Sequence, residues 1–385
     1  SAIVGAGGSP LAAIALGQGD RERAGKIVGN GFILLILFTI FTSLITYTFM
    51  EPILLFTGAS KYTLGYAVDY LSIYLLGTLF VEISTGLNAF INAPGRPSIA
   101  MCSVLIGALL NIVLDPIFIF WLDMGVKGAA LATILSQACS AIWVLSFLFS
   151  RRASLPLERR YMRLDRRIVL SMFALGISPF IMASTESLVG FVLNSSLKNF
   201  GDIYVSALAI LQSAMQFASV PLTGFAQGFV PIISYNYGAR RPDRVIRAAM
   251  TMGIMALVYS VLMWGLILTK PRFLIHIFSS DQELWKDAVP AMKLYFAAFI
   301  FMLLQYTGQT IFKSLNKKKQ AIFFSLLRKV IIVVPLTYLL PYTFHLGTNG
   351  VFLAEPVSNV IGGTLCFVVM LATILPELRQ MKEQG

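Results

Sequence analysis

Long runs of apolar residues with few or no charges recur from one end of this 385-residue chain to the other. A run of about 20 such residues crosses the ~30 Å hydrocarbon core of a bilayer as an α-helix. The clearest runs are 29–50, 128–150, 248–269, 294–312 and 356–376. Others contain isolated polar residues and lie at 62–92, 97–121, 168–197, 203–239 and 330–344. The chain is therefore predicted to be an all-α integral membrane protein.

The composition indicates the same class. Charged residues make up 12% of the chain and hydrophobic residues 57%, whereas soluble domains carry about 25% charged residues. Segment 1–16 is apolar and glycine-rich and is expected to be the end of a helix that starts before Ser1. The prediction is ten complete helices and part of an eleventh. Because 203–239 is longer than a bilayer is thick, we expect Pro221 and Pro231 to interrupt it.

The loops between these runs alternate between the two sides of the membrane, so their basic residues test the helix count. Of the 30 Lys and Arg residues, 21 fall in the loops of one side, including seven arginines in 151–167. The loops of the opposite side hold Lys61, Lys127, Lys198, Lys270, Arg272 and Lys286. The richer side is predicted to be cytoplasmic, which explains the net charge of +12 without a nucleic-acid partner.

The arginine-rich segment divides the chain into an N-terminal bundle at 1–150, a basic cytoplasmic linker at 151–167, a C-terminal bundle at 168–376 and a cytoplasmic tail at 377–385. The pattern G-x-x-G-x-x-L-A starts at Gly125 and again at Gly347, a shift of 222. A second match faces Gly19 with Gly238 at a shift of 219. Two matches in the same order predict two pseudo-symmetric helical bundles related by a parallel repeat.

Metal and nucleotide chemistry are poorly supplied. The three cysteines lie far apart, and there are two histidines, so neither a zinc site nor a histidine-based catalytic centre is expected. The glycine-rich segment 5–8 lacks the flanking strand and the lysine of a phosphate-binding loop, and it is expected to provide close helix contacts instead. We therefore expect no cofactor, no resident metal and no ATPase activity.

Four segments resemble a known family: 177–182 (ISPFIM), 227–238 (QGFVPIISYNYG), 111–118 (NIVLDPIF) and 350–356 (GVFLAEP). Together they are similar to the multidrug and toxic compound extrusion (MATE) family, notably its MepA-type bacterial branch. The resemblance implies a cation-coupled efflux transporter that works by alternating access between two six-helix bundles around a central cavity. It also implies that the first helix, which often carries an acid, and part of the second precede this sequence.

Acids inside apolar spans are candidates for ion coupling, because a carboxylate at a helix centre costs roughly 2.5–3.5 kcal/mol on insertion scales. Glu186 shares a helix face with Gly190 and Asn194 and follows Gly176 by ten residues, which resembles the family's seventh helix. The alternative is a neutral glutamate that is hydrogen-bonded inside the bundle.

Two further acids are weaker candidates for ion coupling. Asp115 follows Asn111 by four residues beside a helix break at Pro116, and Glu82 corresponds within one position to Gln305 in the second half. A purely structural role is the alternative for each.

Four charged residues closer to span ends are expected to reach the membrane interface, namely Asp69, Arg328, Lys329 and Glu355. The tenth helix, which carries an aspartate in sodium-linked relatives of the family, contains no acid at 294–312. The resemblance therefore favours protons over Na⁺ as the transported ion.

Several polar and aromatic residues are predicted to line the substrate cavity by family analogy: Gln212, Met215, Gln216, Tyr235, Gln305, Tyr306 and Gln309. Such a lining suits lipophilic or cationic small molecules. The prediction is a monomeric multidrug antiporter in the cytoplasmic (inner) membrane of a bacterium. A flippase for lipid-linked substrates and an intramembrane enzyme are the alternatives, and the enzyme is disfavoured because paired catalytic residues are lacking.

Overall fold

The computed structural model describes residues 1–56, 63–150, 152–278 and 282–383. Lys61, Tyr62 and Arg151, which enter the sequence expectations, lie outside this described part. Within it the chain is helical and contains no β-strand. The predicted all-α class is confirmed.

The chain forms two compact units, Ser1–Gly176 and Ile177–Gly385, and the boundary falls inside a helix. The helices of the first unit are α1 (Ala2–Gly17), α2 (Arg21–Thr48), α3 (Met50–Phe56), α4 (Leu64–Leu76), α5 (Thr78–Gly86), α6 (Asn88–Asn92), α7 (Pro97–Pro116), a π-helix (Ile117–Trp121), α8 (Gly125–Leu148), a 3₁₀-helix (Arg159–Tyr161) and the start of α9 (Arg166–Lys198).

The second unit continues with α10 (Asp202–Gly238), α11 (Pro242–Thr269), α12 (Pro271–Phe278), α13 (Gln282–Tyr295), a 3₁₀-helix (Phe299–Phe301), α14 (Met302–Ser314), α15 (Lys318–Leu326), a π-helix (Leu327–Val333), α16 (Val334–Tyr338), a π-helix (Leu339–Thr343), α17 (Gly347–Ser358), a π-helix (Asn359–Gly363) and α18 (Thr364–Glu383).

These helices supply the predicted spans. Eight are long and apolar enough to cross a membrane, and two bent pairs bring the number to 10 in the described residues. The pairs are Leu64–Leu76 with Thr78–Asn92, bent by 58°, and Leu284–Tyr295 with Phe299–Ser314, bent by 43°. The second pair starts at Leu284, ten residues before the predicted run 294–312. The first half of this span contains Lys286, Asp287 and Lys293, so it does not appear in the sequence as an uncharged run.

The two prolines of α10 do not end the helix. The prediction that Pro221 and Pro231 interrupt it is wrong, because Asp202–Gly238 is one continuous α-helix. A proline removes a single backbone N–H, and a membrane helix packed by its neighbours tolerates that loss. At Pro116 the chain does become irregular, since α7 passes there into the π-helix Ile117–Trp121.

The basic segment after α8 packs on the first unit. Leu155 and Leu157 are buried in its core. Asn30 of α2 donates a hydrogen bond to the carbonyl of Arg163 at 3.0 Å and accepts one from the amide of Asp165 at 2.7 Å. These contacts attach the segment to α2, and the grouping of residues 1–176 into one unit includes it.

Glycines let the helices of the first unit approach closely, as expected for segment 5–8. A side chain at Gly7 would collide with the carbonyl of Met172, and one at Gly8 would collide with the ring of Phe90. Phe90 and Met172 are fully buried. Small residues therefore set the distances between α1, α6 and α9 within this unit.

The internal repeat appears as repeated local structure. Gly125 and Gly347 start α8 and α17 with left-handed φ angles of 53° and 55°. Two residues earlier, Asp123 and His345 have φ angles of 50° and 55°. Each turn follows a five-residue π-helix, and the shift between the copies is 222. Because left-handed backbone is strained for most residues, the repetition of this turn is specific to the pattern.

The second sequence match is out of register by two residues. The α1–α2 turn has Gly19 at φ 80°, and the α10–α11 turn has Arg240 at φ 53°. The amide of Asp20 donates to the carbonyl of Ala15, and the amide of Arg241 donates to that of Asn236 in the same way. The two turns therefore correspond at a shift of 221, and the predicted shift of 219 is wrong.

The change of shift from 221 to 222 has a structural cause. The span Lys318–Thr343 has 26 residues, whereas its counterpart Pro97–Trp121 has 25. The longer span contains the π-helix Leu327–Val333, whereas the equivalent part of the shorter span is the regular α-helix α7. A π-helical turn holds one additional residue, so this segment accounts for the insertion.

Candidate functional site

One face of α9 carries the strongest acidic candidate. Glu186, Gly190 and Asn194 share this face because α9 is continuous through them. The Asn194 amide donates to the carbonyl of Gly190 at 2.9 Å. A Cβ atom at Gly190 would lie 3.5 Å from Nε2 of Gln212, so the glycine brings α10 close. Glu186 itself is exposed on this face, and its role in coupling stays a prediction.

A buried ion pair lies in the same unit. Nζ of Lys329 lies 2.6 Å from Oε1 of Glu355, and the side chains are 12% and 5% exposed. Nη1 of Arg328 lies 3.4 Å from Oε2 of Glu355 and donates at 2.5 Å to Oδ1 of Asn359. We call these four residues the charged cluster.

The expectation that Arg328, Lys329 and Glu355 reach the membrane interface is wrong. Arg328 is 4% exposed and Glu355 is also 4% exposed. The predicted run 330–344 leaves the two cations at its start, whereas the span in the structure begins at Lys318 and has them near its middle. There they lie in the π-helix Leu327–Val333 and bond to Glu355 of α17. A paired carboxylate offsets the cost of burying these cations, and the interface is then not needed.

Two π-helices hold the cluster. Arg328 and Lys329 lie in Leu327–Val333, and Asn359 begins Asn359–Gly363. The two segments contact each other, and a side chain at Gly362 would collide with Arg328. Single π-helical turns within membrane helices rearrange backbone hydrogen bonds and occur frequently at functional sites.

Glu186 acts electrostatically on this cluster. Its carboxylate is close enough to influence Lys329 and the buried hydroxyl of Tyr295. Arg328 and Lys329 supply two positive charges, and Glu355 and Glu186 supply two negative ones. With all four side chains in their charged forms, the group is electrically neutral.

The first unit contains a cavity of about 230 Å³ between α5, α6, α7 and α8, with several Ser, Thr, Asn and Gln side chains in its wall. Asn111 lines it, and its amide lies 3.2 Å from Oδ1 of Asp115. Ser84 donates at 2.6 Å to Oε1 of Gln137 at the same cavity. Of the predicted coupling residues in the described part of this unit, Asn111 is the one in the cavity wall. Oε2 of Glu82 lies 2.5 Å from the main-chain nitrogen of Ser1.

This cavity and the charged cluster occupy equivalent positions in the repeat. At a shift of 222, Thr133 corresponds to Glu355 and Gln137 to Asn359. Gly107 corresponds to Arg328 at a shift of 221 and to Lys329 at a shift of 222, because the additional residue of the second unit lies in this π-helix. The first unit therefore has a glycine and neutral polar groups where the second has two cations and a carboxylate.

The amides of α14 are bonded to α15. Nε2 of Gln305 donates to the carbonyl of Phe324 at 3.1 Å, and Nε2 of Gln309 donates to that of Ala321 at 3.3 Å. Asn88 makes the bond equivalent to that of Gln309, to the carbonyl of Ala100 at 3.1 Å. Asn88 and Gln309 are 221 residues apart, and the same shift aligns Ser84 with Gln305. The predicted correspondence of Gln305 with Glu82 is therefore wrong.

The other predicted substrate residues differ in exposure. Gln212, Met215 and Tyr306 are half-buried, and Gln216 and Tyr235 are exposed. Gln305 and Gln309 are both 3% exposed. Whether these residues line one substrate cavity stays a prediction.

The sequence analysis assigns Arg328, Lys329 and Glu355 to the interface and does not name Asn359, so the charged cluster is not predicted. The internal repeat is the sequence signal that could have indicated the cluster. Glu355 corresponds in the repeat to Thr133, which lies in the cavity wall of the first unit. Thr133 follows Gly125 by eight residues, and Glu355 follows Gly347 by the same number. Extending the repeat this far aligns Glu355 with a polar residue of the first half.

Comparisons with known proteins agree with this architecture. A family model described as MatE matches residues 1–117 and 179–339. The multidrug export protein MepA of Staphylococcus haemolyticus is 27% identical over 80% of this chain and 70% of its own length. The MepA of Staphylococcus aureus is 26% identical over 86% of this chain and 72% of its own length. A solved structure of MATE in the bent conformation has a TM-score of 0.92 at 21% identity, covering 100% of this chain and 84% of its own.

Proposed function

The chain belongs to the MatE family, and we propose that it exports lipophilic or cationic drugs from a bacterial cell by antiport with protons. The protein is a multi-pass membrane protein. We place it in the cytoplasmic membrane, as a monomer that needs no cofactor beyond the transported ion. Two MepA relatives that match most of the chain are named as multidrug export proteins, which supports a drug as the cargo.

The observation that carries the proposal is the set of charges inside the apolar spans of the second unit. Glu186 lies in α9, and Lys329 and Glu355 form their ion pair between two other spans. Ionisable residues in membrane helices are costly, and they mark ion pathways and proton relays. A passive structural role for Glu186 would be served at lower cost by a glutamine.

Protons are favoured because of how the carboxylates are engaged. Both oxygens of Glu355 already face cations. In the tenth span α14 contains no acid, and Asp287 lies in α13, before the bend. Glu186 is then the carboxylate of this group that is left to exchange an ion. Because a low-dielectric environment favours a neutral carboxyl, Glu186 takes up a proton when it is shielded and releases it when water enters.

The driving force is sufficient for this exchange. Each elementary charge that crosses the membrane gains ~2.3 kcal/mol per 100 mV.

For the cargo, we assign Gln212, Met215, Gln216 and Tyr235 of α10 and Tyr306 of α14 to drug binding. Aromatic faces and a polarisable methionine suit lipophilic cations of varied shape.

The flippase alternative requires cations that are free to bind a pyrophosphate group. Arg328 and Lys329, two basic residues within the span Lys318–Thr343, are both engaged by Glu355. Their pairing supports drug antiport over transport of lipid-linked substrates.

The test uses the full-length protein in everted membrane vesicles that are incubated with a fluorescent lipophilic cation in the outside medium. We expect uptake into the vesicles to require a proton gradient and to stop when a protonophore is added. Uptake that continues after both the proton and the sodium gradients are dissipated would contradict coupled transport. Uptake that stops only when the sodium gradient is removed would contradict the assignment to protons.

A further inference from the structure

A lysine in the middle of a membrane-spanning unit needs an explanation. Lys329 is paired with Glu355 at 2.6 Å, and Arg328 already neutralises the other oxygen of the same carboxylate at 3.4 Å. One cation would be enough to neutralise one buried carboxylate. Among the described residues, Glu186 of α9 is the second carboxylate whose charge acts on Lys329.

The first unit shows what the position equivalent to Lys329 contains when no cation is present there. In the first unit the position is Gly107, and the space beside it belongs to the cavity of about 230 Å³. Thr133 and Gln137 line that cavity at the positions that Glu355 and Asn359 occupy in the second unit. The side chains of Arg328 and Lys329 therefore take the place of an open polar space.

The surroundings of Lys329 provide what a small cation requires. Oε1 of Glu355 and Oδ1 of Asn359 are oxygen donors, and a π-helix frees backbone carbonyls near them. Backbone carbonyls that are not bonded within a membrane helix coordinate Na⁺ in transporters. With Lys329 neutralised, Arg328, Glu355 and Glu186 would leave the group with one negative charge.

We propose that the ammonium group of Lys329 is a built-in counter-cation that occupies the place of a transported Na⁺ in the second unit. The inference rests on the proposed antiport and names the residue that selects the ion. The fixed ammonium cannot leave, so it excludes Na⁺ and leaves proton binding at Glu186 as the exchange step. The charged and titratable groups that face this exchange are Arg328, Lys329, Glu355, Glu186 and Tyr295.

The experiment compares Lys329→Gln with the wild type in the purified full-length protein. Thermal unfolding is followed in Na⁺ and in choline at equal ionic strength. We expect Na⁺ to raise the unfolding midpoint of Lys329→Gln by several degrees and to leave the wild type unchanged. We also expect an imposed sodium gradient to increase drug export by Lys329→Gln several-fold in proteoliposomes.

Three control variants separate this effect from a general loss of charge. Lys329→Arg keeps the positive charge and should remain indifferent to Na⁺. Lys317→Gln removes a lysine of the α14–α15 turn that is paired with Glu377 at 2.6 Å, and it should also be indifferent. The double variant Lys329→Gln/Glu355→Gln removes the negative charge that attracts the ion and should lose the Na⁺ response.

The proposal is overturned if folded Lys329→Gln shows neither Na⁺ stabilisation nor sodium-driven export. It is also overturned if Na⁺ raises the unfolding midpoint of the wild type or of Lys329→Arg by several degrees, a measurement that does not require Lys329→Gln to fold. Failure of the proposed function has a different signature, because the wild type would then show no export driven by a proton gradient.

Discussion

Replacing Glu355 by glutamine is expected to destabilise the second unit strongly. Glu355 is 4% exposed, and its oxygens face Lys329 at 2.6 Å and Arg328 at 3.4 Å. The substitution leaves two buried cations without a carboxylate between them. Removing one partner of a buried ion pair costs about 3–5 kcal/mol, because the remaining charge stays buried. For a unit of roughly 200 residues this corresponds to a fall in the unfolding midpoint of about 10 °C.

The assay is thermal unfolding of the purified protein in detergent, followed by loss of the monodisperse peak in size-exclusion chromatography. Glu377→Gln is the matched control, because Glu377 is also paired with a lysine but its side chain is 31% exposed. The double variant Lys329→Gln/Glu355→Gln should recover part of the loss, since it removes one uncompensated cation. A midpoint for Glu355→Gln within about 2 °C of the wild type would refute the reasoning.

Two further predictions concern packing and hydrogen bonding. Gly128→Ala and Gly350→Ala should each lower stability by about 1–3 kcal/mol, because a Cβ atom would lie 2.6 Å from main-chain atoms of the preceding π-helix. Gly253→Ala, with nothing within 4 Å of the added carbon, should be neutral or stabilising in the same unfolding assay; equal losses at the three sites would contradict this account. Tyr237→Phe removes a hydrogen bond of 2.7 Å to Oε1 of Glu377 and should cost about 1 kcal/mol without changing drug export. An unchanged unfolding midpoint would show that this bond does not contribute.

The spans and the repeat could be predicted because each depends on a local property of the sequence. A helix that crosses a membrane needs only length and the near absence of charge, and both are visible in the residues. The repeated turn needs a residue in left-handed conformation at its start, so Gly125 and Gly347 mark it in both halves. The resemblance to a transporter family was confirmed by the family model.

The charged cluster could not be predicted from position along a helix. Arg328 and Lys329 directly precede the predicted run 330–344, a position from which long side chains would reach the interface. The span in the structure starts at Lys318, which places both residues near its middle. The π-helix that carries them inward depends on packing against Asn359–Gly363, which is distant in sequence. The continuity of α10 through two prolines likewise depends on tertiary support that the sequence does not display.

The most direct test of the account is proton-driven drug export by Glu186→Gln in proteoliposomes without Na⁺. An imposed pH gradient should drive export of a lipophilic cation by the wild type and by Glu51→Gln, a control acid that is exposed on α3. Glu186→Gln should fold with an unchanged elution profile and show no gradient-driven export. Export by Glu186→Gln at the wild-type rate would contradict the central claim that this carboxyl exchanges the proton.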